Sequence, residues 1–398
     1  MSLLNVPSLS SALPVAIDAM GGDFGPEVVV EGAVLAAREL GINVILVGQE
    51  PQLKNILSRF RGAEDKRIQI KHAPDTISMD DTPALAIRKK PNSSVRVAFE
   101  LVKSKQACGV VSPGNTGAVM AAGIFVLGTV PGIARPAIAT LIPKSVGSTP
   151  TVLLDSGANI DCHAHQLVQF ALMGNYYAMS AIHIERPRVA LLSNGTEESK
   201  GNDITRSAAM MLSGIPGIHF VGYVEGRDLA RDVVDVIVCD GFVGNIVLKA
   251  IEGSVEIVLD TMKHQVDRSG LGRLGMWLAK PTLKAVFKEQ LDPSSFGGAP
   301  LLGLNDVAIV CHGAANAKAI MNAVRVAKQT SDEGLCAKIA AALSSLDLRM
   351  PGAYDENIWN KMGQRFEKKR KPRELEHESN GDQSAAEEIE LDSGVQNE

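Results

Sequence analysis

The sequence PVAIDAMGGDFGP, residues 14–26, decides the fold class of this chain. It begins with an apolar run that is typical of a buried β-strand, continues through Gly21 and Gly22, and ends at Pro26. Proline is favoured in the first turn of a helix, because its missing N–H would have no partner there. The stretch therefore predicts a strand, a tight glycine turn and a helix that runs to Leu40.

The same succession recurs along the chain to about residue 330. Five later apolar runs each lead into a polar or glycine-rich loop, and these loops span residues 113–118, 156–159, 194–202, 241–245 and 312–313. Strands that alternate with helices predict an α/β fold with a mostly parallel, doubly wound sheet. Loops at the carboxyl ends of parallel strands line one crevice, so we expect these loops to form one site. Glycine N–H groups and helix N-termini favour an anion there, such as phosphate.

The composition is that of an ordinary soluble globular protein, with 398 residues of which 45% are apolar and 21% charged. No apolar run approaches the roughly 20 residues that span a bilayer, and the first residues lack the features of a signal peptide. The net charge is −5, but acidic residues crowd the C-terminus and leave the remainder mildly basic. That balance suits anionic ligands and does not argue for nucleic acid. We expect a cytoplasmic protein with a disordered lead at 1–13, one domain at 14–350 and a disordered tail at 351–398.

A long helical stretch after Asp240 interrupts the alternation of strands and helices. Apolar residues recur there at helical spacing, with basic residues among them, and we predict a protruding helical hairpin at about 254–290. Its apolar side chains are candidates for contact with a membrane or an acyl chain. They include Val258, Met262, Leu274, Trp277 and Leu278. A dimer or core contact is the alternative interpretation of the same periodicity.

The loop that opens with Gly114 is the first candidate for phosphate binding. Asn115, Thr116 and Gly117 follow it between a strand and a helix, where backbone N–H groups and the helix dipole favour an anion. Helix capping is the alternative, because Asn and Thr are good N-caps. Lys200 is the second candidate, flanked by Asn194 and Asn202 in the loop 194–202. A lysine there can neutralise phosphate or an oxyanion, and a solvated surface lysine is the alternative.

Three acidic residues and three histidines complete the set of candidates. Asp18, Asp23 and Asp240 each come at the end of a strand, where they can orient a lysine or accept a proton, or simply cap the local turn. His312 can donate to a leaving group or bind phosphate, with a buried structural histidine as the alternative. His163 and His165 are spaced like a metal pair, but no third ligand is evident, and the five cysteines have no metal-type spacing. We therefore expect no metal, and we expect buried cysteines.

These motifs together closely resemble those of the phosphate acyltransferase family. They read DAMGGD from Asp18, SPGNTGA from Ser112, DSGAN from Asp155, NGTEESKGN from Asn194, CDGFVGN from Cys239 and GAPLLG from Gly298, with His312-Gly313. The likeness extends from about residue 14 to residue 345. It implies a fold similar to that of phosphotransacetylases and of isocitrate and isopropylmalate dehydrogenases.

The resemblance also implies a reaction. Members of the family transfer a long-chain acyl group from acyl carrier protein to inorganic phosphate, and the acyl-phosphate feeds a membrane glycerol-3-phosphate acyltransferase in phospholipid synthesis. They are homodimers that associate peripherally with membranes, and the hairpin region is tied to dimer packing and membrane contact. Phosphate is already a nucleophile and a thioester is already activated, so the protein's task is to position them and stabilise an oxyanion, without a cofactor.

On this interpretation each candidate residue has a role. Lys200, Asn115, His312 and Asp240 are the catalytic candidates, while Asn159 and Asn245 join Asp18 and Asp23 as supporting residues. Acyl carrier protein is acidic, so basic residues are candidates for docking it. They include Arg88, Lys89, Lys90, Arg268 and Arg273. Two competing interpretations remain open, a nicotinamide-dependent decarboxylating dehydrogenase and a non-enzymatic scaffold for membranes or acyl carrier protein. The sequence offers no GxGxxG with a following ribose-binding acid to support the dehydrogenase.

Overall fold

The computed structural model describes residues 13–62, 64–78, 80–144, 149–268, 270–271, 273, 275–279 and 297–345. Within these residues strands and helices alternate along the chain. The strands are β1 (Val15–Asp18), β2 (Val44–Gly48), β3 (Ile68–His72), β4 (Gly109–Ser112), β5 (Ala137–Ile142), β6 (Thr151–Leu154), β7 (Arg188–Leu192), β8 (His219–Val224), β9 (Val236–Val238), β10 (Ala299–Leu302) and β11 (Val307–Val310). The α-helices are α1 (Pro26–Glu39), α2 (Glu50–Leu57), α3 (Pro83–Lys89), α4 (Ser94–Lys103), α5 (Thr116–Ala122), α6 (Ala164–Ala181), α7 (Asp203–Ser213), α8 (Gly241–Asp267), α9 (Ala317–Asp332) and α10 (Leu335–Ser345).

The described strands form a single sheet in the order β3-β2-β1-β4-β11-β10-β5-β6-β9-β7-β8. Most neighbouring strands are parallel, which confirms the predicted α/β class. The strands are short and mostly buried, as expected for a sheet that helices cover on both faces. The Val- and Ile-rich runs of the sequence account for this burial.

The centre of the sheet corrects one prediction. Three successive pairs are antiparallel: β11 with β10, β10 with β5, and β5 with β6. Three reversals make the strands on the two sides of the centre run in opposite directions. The carboxyl ends of β1, β4 and β11 therefore lie at one edge of the sheet, called here the first edge. Those of β6, β7 and β9 lie at the opposite, second edge, so the glycine-rich loops do not share one edge.

Alternation along the strands assigns the helices to two faces. Ile138 of β5 and Leu301 of β10 belong to a core with residues of α4 and α5. Leu153 of β6 points to the same face, because it is paired with Thr140, two residues along from Ile138. Leu153 packs in a second core, against which α8 lies through Val247, Leu248 and Ile251. The helices α4, α5 and α8 thus share one face of the sheet, called the front face. The helices α1, α2 and α9 cover the opposite face of β1, β2, β4 and β11.

Local features of the helices follow the sequence closely, with one difference. Pro26 begins α1, and Gly41 ends it with a left-handed φ of 69°. The helix predicted from Thr116 continues beyond Ala122 as a π-helix, Gly123–Leu127. The helical stretch predicted after Asp240 is confirmed as α8, which begins at Gly241 and runs unbroken to Asp267. The rest of the predicted hairpin, including Leu274 and residues 280–290, lies outside the described residues.

Candidate functional site

A chain of hydrogen bonds joins the first two loops at the first edge. The Ser112 hydroxyl donates to Asp18 Oδ2 over 2.7 Å and accepts from the Gly114 N–H over 3.2 Å. A Cβ atom at Gly21 would lie 2.7 Å from the Gly114 nitrogen, so only glycine lets the loop after β1 approach the loop after β4. The structure therefore brings Asp18, Gly21 and Gly114 together, and it engages the Gly114 N–H within the protein rather than leaving it for phosphate.

Asp18 lies deep in this arrangement, with 3% of its surface exposed. Burial raises the pKa of its carboxyl group, while hydrogen bonds from Ser94 and Ser112 act in the opposite direction. A small cavity adjoins the carboxyl group and is lined by Ser94, Ser112 and Asn115 among others. Asp18 therefore holds the loop in place through Ser112, while its supporting role in a functional site stays a prediction.

The start of α5 retains unused donors. Asn115 is the N-cap, and its Oδ1 accepts the Ala118 N–H over 3.1 Å, which is the capping alternative that the sequence left open. The backbone N–H groups of Thr116 and Gly117 have no acceptor within the described part of the chain. They point out of the first turn of a helix, where partial positive charge favours an anion. Capping by Asn115 and anion binding by Thr116 and Gly117 are thus compatible.

His312 and Asp23 lie at the same edge, after β11 and β1. The Asp23 N–H donates to the Gly313 carbonyl over 2.8 Å, which joins these two loops. His312 is exposed, so the alternative of a buried structural histidine is wrong. Its Nδ1 accepts the Ala314 N–H over 3.1 Å, and this contact directs Nε2 away from the loop backbone.

Asp155 organises the loop at the second edge, and the candidate residues chosen from the sequence did not include it. Its Oδ1 accepts the N–H groups of Ile138, Gly157 and Ala158 at 3.0–3.1 Å. Its Oδ2 accepts the backbone and side-chain N–H groups of Asn159 at 2.7 and 2.9 Å. Burial raises the pKa of the Asp155 carboxyl group, and these N–H donors act in the opposite direction. The DSGAN motif was the available signal, because an aspartate before a glycine turn is suited to bind the turn's N–H groups.

The loop held by Asp155 is tied to the start of α8. Asn159 accepts the Gly241 N–H at its carbonyl over 2.7 Å, and Asn245 lies against Gly157. Asp240 is the N-cap of α8 and accepts the Val243 N–H over 2.8 Å. The capping alternative is therefore observed for Asp240, while its proposed part in proton transfer stays a prediction.

The loop 194–202 follows β7, whose neighbour β9 leads into α8. Asn194 Oδ1 accepts the Gly201 N–H over 3.0 Å, and Asn202 caps α7 through the Thr205 N–H. Lys200 is partly buried, and in the described part of the chain no hydrogen bond or ion pair engages its ammonium group. The predicted phosphate residues thus fall into two groups, with residues 114–117 at the first edge and residues 194–202 at the second.

The central strands lie between the two groups, on the front face. Thr140 is partly exposed there, although its neighbours Ile138, Ile142 and Leu153 are buried. The observed pairs of β5 with β10 are Ile138 with Leu301 and Ala137 with Leu302, and Ala299 at the start of β10 is also partly exposed. Ala299 packs against the core that contains residues of α4 and α5, and Thr140 is paired with Leu153 of the core that α8 covers. No sequence pattern identifies Thr140, because only the pairing of strands shows which face it occupies.

The cysteines, the histidine pair and Lys90 are the remaining residues that the sequence singled out. Four of the five cysteines are buried, and burial raises the pKa of Cys162, Cys311 and Cys336 to about 12. Rings of His163 and His165 stack with centroids 5.7 Å apart. Within the described ranges, no group of three or more His, Cys, Asp or Glu side chains is arranged to hold a metal ion. The Lys90 ammonium binds Asp81 over 2.7 Å and the Thr76 carbonyl over 2.9 Å, and its role in docking a partner stays a prediction.

The described part of α8 and the residues after it expose a series of apolar side chains. Val258 is 57% exposed, Met262 39%, Trp277 68% and Leu278 65%. No helix among the described residues has the length and apolarity needed to cross a membrane. An exposed apolar surface of this kind is typical of an interaction site.

Comparison with known proteins agrees with this architecture. A family model described as “Fatty acid synthesis protein” matches residues 13–338. The phosphate acyltransferase of Pelotomaculum thermopropionicum is 48% identical over 340 residues, which cover 85% of this chain and 98% of that protein. The phosphate acyltransferase of Geotalea daltonii is 49% identical over 321 residues, covering 81% and 91%.

Solved structures with a similar fold include two enzymes of low sequence identity. A phosphotransacetylase from Streptococcus pyogenes aligns with a TM-score of 0.54 at 20% identity, covering 81% of this chain and 94% of that structure. A branched-chain phosphotransacylase from Enterococcus faecalis aligns with a TM-score of 0.50 at 13% identity, covering 80% and 99%. These likenesses confirm the predicted similarity to the phosphotransacetylase fold.

Proposed function

Because the chain belongs to the phosphate acyltransferase family, we propose that it transfers a long-chain acyl group from acyl carrier protein to inorganic phosphate and releases acyl-phosphate. The observation that carries this proposal is family membership across the whole α/β region, from residue 13 to residue 338. Every loop considered above falls within that range.

The geometry supports binding of phosphate at the start of α5. Thr116 and Gly117 offer backbone N–H groups that have no acceptor among the residues the structure describes, and the Ser112–Asp18 pair holds the preceding loop in place. Because these N–H donors are already fixed in position, they stabilise an anion without the reorganisation that water molecules would need. Attack of a phosphate oxygen on the thioester carbonyl breaks the C–S bond, and the thiolate of acyl carrier protein leaves with the proton that phosphate releases.

Lys200 is proposed to stabilise charge during this step. Among the described residues no ion pair engages Lys200, so its ammonium group can meet an anionic substrate. Each group that stabilises an oxyanion contributes about 3 kcal/mol in well-studied enzymes. His312, exposed at the first edge, is the candidate that protonates the leaving sulfur. Neither step asks for a metal ion or an organic cofactor.

Acyl carrier protein is proposed to dock through charge. Lys89, Arg268 and Arg273 are exposed, and an acidic partner would be attracted to them. Raising the salt concentration should therefore weaken the apparent affinity for acyl carrier protein more than that for phosphate, because exposed charges are screened.

Contact with a membrane surface and pairing into a homodimer are proposed for α8 and the residues that follow it. The exposed apolar side chains Val258, Met262, Trp277 and Leu278 support both proposals, since either arrangement would remove them from water. Such a position would let the enzyme pass acyl-phosphate to a membrane glycerol-3-phosphate acyltransferase. Co-sedimentation with anionic vesicles and light scattering in their absence measure the two interactions separately.

The experiment that tests the reaction is mass-spectrometric detection of acyl-phosphate after mixing the protein with acyl-loaded carrier protein and phosphate. Acyl-coenzyme A, assayed in parallel, identifies the donor. Binding of carrier protein without release of free thiol would refute the enzymatic proposal and favour a scaffold. A dehydrogenase would instead reveal itself by a change of protein fluorescence on addition of NAD(P)H.

A further inference from the structure

The outer side of α3 and the π-helix beside it expose apolar side chains next to basic ones. Phe125 of the π-helix is 54% exposed, and Ile124 beside it and Leu85 of α3 are exposed as well. Arg88 and Lys89 follow Leu85 by three and four residues, so they share its side of the helix. The sequence of α3 contains no acidic residue. These five exposed residues are called here the α3 surface.

Arg96 of α4 holds the two parts of the α3 surface together. Its Nη1 donates to the Ile87 carbonyl of α3 over 3.1 Å, and its Cζ lies 5.2 Å from the centre of the Phe125 ring. Arg96 Nε donates to Glu100 over 3.1 Å, which fixes the guanidinium group from a third side. One cation therefore joins α3 to the π-helix, and the Phe125 ring is held in position while it stays exposed.

The α3 surface stands on a packed support. Ile87, Val119 and Val126 are buried in one hydrophobic core. A Cβ atom at Gly117 would lie 2.8 Å from Pro83 Cγ, so α3 begins directly against the first turn of α5. Exposure of apolar groups above such a support is not a result of loose packing. A π-helix is rare, and it is often found where a protein carries out its function.

The charge of the α3 surface favours an acidic protein as its partner. Exposed aromatic residues beside a charged rim are typical of the centre of a protein interface, and opposite charge on the partner steers association. Two copies paired through this surface would bring Arg88 and Lys89 of both copies together, because a twofold interface uses one patch twice. Glu100, whose side chain is 49% exposed beside Arg96, would be repelled by an anionic membrane.

We infer that the acidic acyl carrier protein docks on the α3 surface, with Leu85 and Phe125 as apolar anchors and Lys89 as the cation that meets an acidic side chain. This inference rests on the proposed function and deepens it. It adds apolar anchors to the docking by charge, and it selects α3 over the basic residues that end α8 and follow it.

The test measures binding of acyl-loaded carrier protein directly, by surface plasmon resonance on the full-length protein, with turnover assayed in parallel. Lys89→Glu reverses one charge, and Phe125→Ala removes the exposed ring. Leu85→Ser removes the other anchor and keeps the inference testable if circular dichroism shows that Phe125→Ala does not fold. Lys66→Glu is the matched control, because Lys66 is exposed before β3 and its replacement changes the net charge by the same amount.

Each of the three variants of the α3 surface is expected to weaken carrier binding at least about 5-fold, the usual effect of removing an important interface residue. The KM for acyl carrier protein should rise with it, while the KM for phosphate stays unchanged. Lys89→Glu should also make binding less sensitive to salt, and Lys66→Glu should change none of these quantities. Unchanged carrier binding in folded Phe125→Ala and Leu85→Ser proteins would overturn the inference, as would an equal loss in Lys66→Glu.

Two further measurements identify other occupants of the α3 surface. If Phe125→Ala keeps its affinity for the carrier but no longer sediments with vesicles of phosphatidylglycerol and phosphatidylcholine, the surface binds lipid and the inference is wrong. A lower mass in light scattering with intact carrier affinity would assign the surface to a second copy, with the same consequence. Carrier binding that the three variants weaken, without any acyl-phosphate from the unchanged protein, would refute the proposed function and leave the inference standing.

Discussion

Replacement of Asp155 by asparagine is the perturbation with the best-defined consequence in this structure. The side chain keeps its shape and loses its charge, and one acceptor oxygen becomes an NH₂ donor. Oδ1 holds the N–H groups of Ile138 and Gly157, Oδ2 holds both N–H groups of Asn159, and the Ala158 N–H is shared between the two oxygens. In either orientation of the new amide, two buried donors lose their acceptor and face another donor.

The size of the effect follows from that count. A buried donor left without its acceptor costs about 1–3 kcal/mol, so two donors cost about 2–6 kcal/mol of the free energy of unfolding. Partial relaxation of the loop favours the lower half of this range, about 3 kcal/mol. The loop also presents the Asn159 carbonyl to the start of α8, so turnover should fall with stability.

Urea denaturation followed by circular dichroism measures the change in the free energy of unfolding. Asp161→Asn is the matched control, since Asp161 is exposed in the same region, and it should change stability by less than about 0.5 kcal/mol. A loss of less than about 1 kcal/mol in Asp155→Asn would show that the carboxylate does not organise the loop, and the reasoning would be wrong.

Four further predictions concern the other loops. Asn115→Asp keeps the cap of α5 but adds a negative charge, so the protein should retain its stability and lose affinity for phosphate. Asn115→Ala removes the cap and should cost about 1 kcal/mol of stability. Equal phosphate KM values for Asn115→Asp and the unchanged protein would contradict anion binding at this loop. Lys200→Met should leave the melting temperature unchanged and lower kcat/KM at least about 10-fold. Lys249→Met, on the surface of α8, is the control and should leave the kinetics unchanged. Full activity of Lys200→Met would show that Lys200 is not part of the site. Gly244→Ala should destabilise the protein by about 3 kcal/mol or prevent folding, because its Cβ would lie 2.0 Å from the Asp155 carbonyl oxygen. Gly253→Ala, in open space on the same helix, should instead stabilise it by about 0.5–1 kcal/mol. Similar melting temperatures for the two variants would contradict the close packing at Gly244. Burial raises the folded-state pKa of Asp18 above 3.8, so the folded state binds this proton more tightly than the unfolded state does. The free energy of unfolding should therefore fall as pH rises from 3.8 through the raised pKa. Asp18→Asn should flatten that decline, and parallel pH profiles of the two proteins would refute this prediction.

The strand and helix pattern could be predicted from the sequence because each signal is local. Apolar runs before glycine loops predicted the strands that border the site, and Pro26 and Gly41 marked the ends of α1. Asn115 and Asp240 were recognisable as caps for the same reason. The short strand β10 was missed, because it follows a run of glycines and contains a proline.

The arrangement of the loops could not be predicted, because it depends on strand direction at the centre of the sheet. The antiparallel pairs involving β10 and β5 join residues that are far apart in sequence, and no local pattern specifies that pairing. The face that Thr140 occupies is an example, since it follows from the pairing with Leu153 on another strand. Asp155 was quoted within a motif, but its six hydrogen bonds depend on a loop geometry that the motif alone does not define.

The position of β11 has a consequence for how the chain emerges from the ribosome. β4 pairs with β11 on one side, yet β11 is synthesised only after β5–β10 have been made. Domains usually fold from the N-terminus as synthesis proceeds, and an unpaired strand edge invites contact with other chains. The β1–β4 segment must therefore wait with one edge uncovered while the β6–β9 segment can already close around its own core. Nascent chains that stop before Val307 should depend on chaperones, and those that extend past Asp332 should not.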